Sequence, residues 1–232
     1  MTENKNVHQK SVRRNRFATA FCFAAALVSA GVVGTQSASA TGVAQPVTAA
    51  HRASAAVAAV TPGVGSAGLV QSEDLFRQGL HPVGATVAMT GREALSACSG
   101  EETMRDLTKG AADAYASVAW SFTTDTRLSE SAASAPTKTS AALWEKQLVA
   151  LVQDCQDEPA GHWYYGAAHT LTATGGTARW YSAHNGDGTV SGGVAVLRSG
   201  TRVAVVELTG RPVGTPASFE GIAAAALNRL SS

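Results

Sequence analysis

The sequence is poor in charge, aromatic residues and cysteine: of 232 residues, 15% are charged, 6% are aromatic and three are cysteine. Cys22, Cys98 and Cys155 stand far apart, with no His or acid at metal-ligand spacing beside them, so neither a metal nor a cofactor is expected. No Gly-x-Ser-x-Gly occurs, and His51, His81, His162, His169 and His184 have no nucleophile at a recognisable interval. A hydrolase needs an activated nucleophile, a base and an orienting acid. No catalytic residue is therefore assigned. A secreted hydrolase acting on envelope or extracellular material is the alternative. Its acids would come from Asp187, Glu207 and Glu220, the only carboxylates after Glu158.

Basic residues are concentrated where they do not last. Lys5, Lys10, Arg13, Arg14 and Arg16 precede an uncharged apolar run of 18 residues, 17–34, which closes on Ser37-Ala38-Ser39-Ala40. Basic, apolar, then small is the order of a cleavable export signal, and it predicts cleavage after Ala40 and a secreted protein. A permanent anchor is the rival reading, since 18 apolar residues approach the length that spans about 30 Å of hydrocarbon; the small-residue ending favours cleavage. Arg13-Arg14 also allows twin-arginine export, although Phe17 falls one place late for that motif beside the general secretory route. Cleavage removes five basic residues and one acid, which leaves 13 Lys and Arg against 16 Asp and Glu, a net charge of −3. Nucleic acid is excluded as a partner, because phosphate neutralisation supplies most of that affinity. An anionic membrane is excluded in the same way. Cys22 leaves with the signal, and Cys98 and Cys155 are expected to form one disulfide in an oxidising compartment.

Residues 41–66 are Ala, Val, Thr, Ser, Pro and Gly apart from Gln45, with His51 and Arg52 the only charge-capable side chains and no Phe, Trp or Tyr and no periodicity, and read as a flexible linker. Residues 67–232 then form a single globular domain, long enough to bury about two-thirds of its surface. Helical turns are expected over 69–76, with Ser72 as N-cap, and over 101–108. Residues 115–122 alternate apolar and polar and suit a strand, with 127–134 as its partner. Trp144, Leu148, Leu151, Val152 and Cys155 form one stripe of a helix over 140–154, capped by Thr139 or Ser140. Strands follow at 163–172, 178–183 and 190–197, and Ser199-Gly200 turns the last into 202–208. Phe219, Ile222, Ala223, Ala226, Leu227 and Leu230 mark a closing helix, with Thr215 as N-cap and Pro216 first. The class is α+β: an antiparallel sheet with helices packed on one face, and one disulfide.

With this order of elements, the chain resembles the PknH-like extracellular sensor domains of actinobacteria. The resemblance rests on Leu69-Val70-Gln71-Ser72-Glu73-Asp74-Leu75 at the start, on Cys98, and on the helix Leu148-Val149-Ala150-Leu151-Val152-Gln153-Asp154-Cys155. The hairpin from Gly193 to Val206 and the alanine-rich last helix complete it. It implies an extracytoplasmic ligand-binding or sensor-like module with a cleft, here as a soluble relative with one cysteine pair rather than two.

His184-Asn185-Gly186-Asp187-Gly188 has too few acids for a calcium loop and reads as a turn. The aromatics are the candidate site. Five of the eight Trp and Tyr residues, Trp163, Tyr164, Tyr165, Trp180 and Tyr181, fall on two neighbouring strands. Consecutive strand residues face opposite ways, so these rings cannot all enter one core. Some of them are expected to line a groove for an extracellular small molecule, glycan, lipid or peptide.

Overall fold

In the computed structural model the described residues are 63–173, 175–210 and 216–232, with side chains for all of them except 216–218. The expected export signal, most of the expected linker and Thr215 lie outside the described residues.

Among the described residues seven strands form one sheet: β1 (Gly84–Ala88), β2 (Ala114–Ser121), β3 (Arg127–Ser134), β4 (Tyr164–Ala173), β5 (Gly176–His184), β6 (Val190–Ser199) and β7 (Arg202–Thr209). Every pairing is antiparallel, in the order β1-β2-β3-β7-β6-β5-β4. The hairpin β6–β7 turns through Gly200, whose φ of 57° is the left-handed value that glycine adopts without penalty. β1, which has no strong alternation, is the strand that the sequence pattern does not announce.

The described residues also form four α-helices: α1 (Ser72–Arg77), α2 (Met104–Leu107), α3 (Lys138–Gln153) and α4 (Pro216–Ser231). The α+β class, the antiparallel sheet and the Cys98–Cys155 bond are as expected. The placing of helices on one face is corrected. Val203 and Val205 of β7 join Trp144, Leu148 and Val152 of α3 in one core, whereas Ala204 and Val206 join Phe219, Ile222 and Leu227 of α4 in another. Alternate residues of one strand point to opposite faces, so α3 and α4 cover different sides. The physical reason lies in Val194–Leu197 and Val203–Val206, which are continuous apolar runs rather than alternating ones. Such strands need cover on both faces. Each large aliphatic residue buried in these stripes contributes roughly 1.5–3 kcal/mol.

The helix starts also differ in detail. Gln71, not Ser72, is the N-cap of α1, and it forms a reciprocal capping box with Asp74. Thr137 caps α3 by accepting from the Ser140 amide, two residues ahead of the expected cap. α2 is only four residues long, so Glu101 and Glu102 precede it. Val64, within the expected linker, is buried in the α4-side core.

Candidate functional site

The five aromatics do not share one groove. Tyr165 and Tyr181 are buried on the α3 side, with Trp163 packed at the margin of that core. Trp180 lies on the α4 side, tilted against Phe219 and stacked on the cross-strand His169 at 4.2 Å. Tyr164 is half-buried and stacks on His184, its register partner, at 5.1 Å. Tyr181, Tyr165 and Trp180 are therefore core residues. Trp163 is the member that reaches an opening.

That opening lies at one end of the sheet. A depression of about 660 Å³ is lined by Trp163 before β4, Asp125 in the β2–β3 turn, Asn185 in the β5–β6 turn, Ser191 in β6, Thr209 at the end of β7 and Gly210 after it. The Trp163 indole N–H donates to Ser191 Oγ at 3.1 Å, and the ring meets Tyr165 edge-on at 4.7 Å. Ser191 reaches this position because β6 bulges there: Val190 pairs with His184 and Gly192 with Ala183, which leaves Ser191 as the extra residue. A bulge re-aims a side chain in this way. Gly186 shapes the rim. A Cβ at Gly186 would lie 2.0 Å from the Gly161 carbonyl oxygen, so only glycine lets the β5–β6 turn meet the loop that carries Trp163. No sequence pattern marks the bulge at Ser191 or this contact.

His184–Gly188 forms the expected turn. The Gly188 amide donates to the Asn185 carbonyl, and Asp187 accepts from both the amide and the hydroxyl of Thr189. These bonds hold the Asp187 carboxyl below its ordinary range. Among the described residues no group of three or more His, Cys, Asp or Glu is placed to hold a metal.

Beneath the depression lies a buried polar hub. Glu207 of β7 accepts from the Ala97 amide through both oxygens, at 3.0 and 2.9 Å, and from the Tyr165 hydroxyl. Burial pushes the Glu207 carboxyl up, while the Tyr165 hydroxyl and the Ala97 amide pull it down. The Tyr165 hydroxyl is pushed up as well, by burial first and by the Glu207 charge second. Cys98, next to Ala97, is bonded to Cys155 at the end of α3, and the Tyr165 amide donates to the Cys155 carbonyl. Loop, helix end and two strands thus meet at one carboxylate. Glu207 is fully engaged by structure.

This placement separates the three acids that a glycosidase pair would draw on. Glu207 faces the α3 core, Asp187 sits in the β5–β6 turn, and Glu220 is exposed on α4, across the sheet. The depression offers one aromatic ring and neutral polar groups with one carboxylate, Asp125.

No protein-family model and no curated protein matches the chain. Among solved structures, the extracellular domain of PknH from Mycobacterium tuberculosis is similar, with a TM-score of 0.49 and 13% identity over 73% of this chain and 97% of that one. The likeness is one of fold, and no site is carried across from it.

Proposed function

We propose that the mature chain is an exported, non-catalytic binding or sensor-like module, and that its ligand is a neutral polyhydroxylated molecule, a glycan, held at the Trp163 depression. The observation that supports this most is the half-buried Trp163 ring, fixed by Ser191 and surrounded by Asp125, Asn185 and Thr209. A sugar presents an apolar C–H face to an aromatic ring and hydroxyls to amide, hydroxyl and carboxylate groups. A lipid tail would find little apolar wall there. Small molecules and peptides are the competing ligands.

A soluble cell-envelope glycan present at 100 times its dissociation constant is expected to raise stability by about 2.7 kcal/mol. Trp163→Ala should weaken the same ligand by at least tenfold, beyond the lower unliganded melting temperature that the lost packing on Tyr165 brings. A bound glycan that is indifferent to Trp163→Ala would place the site elsewhere.

Export is part of the same proposal. It rests on the order of residues 1–40 and on the Cys98–Cys155 bond, a feature of oxidising compartments. Among the described residues, no helix is long and apolar enough to cross a membrane. The intact mass of the secreted protein should begin at Thr41; full-length chain recovered in the membrane fraction would contradict this.

A further inference from the structure

A second depression, of about 650 Å³, lies near the opposite end of β2 from Asp125 and is lined by Arg92, Thr103, Arg105, Asp106, Lys109 and Gly110. Three of these six residues are cationic, in a mature chain whose net charge is −3. Among the described residues none of the three has an ion-pair partner, whereas Arg77, Arg198 and Arg229 all do. Of the neighbouring acids, Asp106 accepts from the amide and hydroxyl of Thr103, and Glu93 accepts from the Thr90 hydroxyl through Oε1 while its Oε2 is buried without a partner.

The fold holds these cations together. The Arg105 amide donates to the Gly91 carbonyl at 2.8 Å, which brings Arg92 alongside α2. Gly91 can approach because it lacks a Cβ, which would lie 2.4 Å from the Tyr115 ring. The Arg105 guanidinium sits over that same ring at 5.9 Å. Lys109 follows α2 with a φ of 53°, the one left-handed non-glycine residue among those described. The position after a helix ordinarily takes glycine or asparagine, because a Cβ there is strained. The backbone strain that Lys109 carries there points to a use for its charge.

We propose that this depression binds a phosphate ester. Among the residues that line the depression, Arg92, Arg105 and Lys109 supply three positive charges and Asp106 one negative, an excess at the wall that matches a dianionic phosphomonoester; Glu102 and Asp154 share an adjoining depression with Lys109. Arg105 offers a planar pair of donors to two phosphate oxygens, and Lys109 a mobile point charge to the third. A soluble sugar or glycerol phosphate and a phosphomonoester lipid headgroup share this chemistry.

The test uses the mature protein with glycerol 1-phosphate, and in a separate arm with vesicles containing phosphatidic acid, each against free glycerol or phosphatidylcholine controls. Saturable binding of glycerol 1-phosphate is expected, weakened about tenfold by Arg105→Gln and by Lys109→Gly and left unchanged by Trp163→Ala. Lys109→Gly should at the same time raise the melting temperature, since glycine relieves the left-handed backbone, so loss of binding with this variant is not loss of fold. Binding to vesicles alone assigns the headgroup as the source, and binding to glycerol 1-phosphate alone assigns a soluble ester. Responses that do not saturate, that chloride reproduces at equal ionic strength, or that survive both substitutions overturn the proposal.

Discussion

Breaking the Cys98–Cys155 bond is expected to lower the stability of the domain by about 4 kcal/mol, the chain-entropy value for a loop whose ends are 57 residues apart. The loop spans α2, β2, β3 and α3, so the reduced unfolded chain recovers much conformational freedom. In the folded state the bond holds Ala97 against Glu207 and the end of α3 against β4, where Cys155 accepts from the Tyr165 amide. Loosening that loop would leave the buried Glu207 carboxylate without its backbone donor, and an unsatisfied buried group adds its own cost. Urea unfolding with and without reductant, and of the Cys98→Ala/Cys155→Ala double variant, measures the effect. The unreduced protein should titrate no free thiol after denaturation. Equal midpoints for oxidised and reduced protein would show that the loop is held by its other contacts alone.

Glu130 is expected to make the domain lose stability as pH rises, by an amount of the order of 5 kcal/mol between about pH 4.5 and 8. It lies on β3 beneath the start of the domain, where one oxygen accepts from the Val70 amide at 2.6 Å and the other is buried without a partner. Burial pushes its carboxyl from an ordinary 4.5 up to about 8; the Val70 amide opposes this, and the Asp74 charge adds to it. Asp74 is itself held by Arg229 and Arg77. Below pH 4.5 the acid is neutral in both states, and the fold carries no penalty. Between 4.5 and 8 the unfolded chain ionises while the folded chain keeps its proton, so stability falls by about 1.4 kcal/mol per pH unit. Above 8 both states are ionised, and the fall ends. Glu207 shifts in the same direction and adds to the slope. Glu130→Gln keeps an acceptor for Val70 and removes the titration. Denaturant unfolding should find the variant close to the parent near pH 4.5 and several kcal/mol more stable near pH 8. Parallel curves for the two proteins would show that Glu130 is ionised at neutral pH in the fold.

Most of the element order was legible because it rests on periodicity. The stripe Phe219 to Leu230 and the alternation from Tyr115 to Trp120 each have one arrangement that buries them, and β3 occupies Arg127–Ser134 as read. The face that each helix covers was not read from the helices themselves. It was present in Val194–Leu197 and Val203–Val206, whose unbroken apolar character requires two covered faces. β1 escaped notice because it is a short edge strand with three exposed residues between two half-buried ones, and so has no pattern to show. The aromatic cluster was legible as a cluster and not as a site. Alternation correctly separates Trp180 from Tyr181, but the bulges in β4 and β6 decide which ring meets solvent. The cation cluster at Arg92, Arg105 and Lys109 is invisible in sequence, since contact across the Gly91 turn brings Arg92 to the other two.

The claim that Trp163 forms the ligand surface is tested most directly by the indole N–H signals in a nitrogen-15 spectrum. The chain has four tryptophans, Trp120, Trp144, Trp163 and Trp180, and Trp163→Phe assigns the signal in question. Titration with soluble cell-envelope glycan fragments should move the Trp163 signal saturably and leave those of Trp144 and Trp180, which are buried against α3 and α4 respectively, in place. A glycan that binds while the Trp163 signal stays fixed, or a full set of fragments that moves no indole signal at all, would contradict the account.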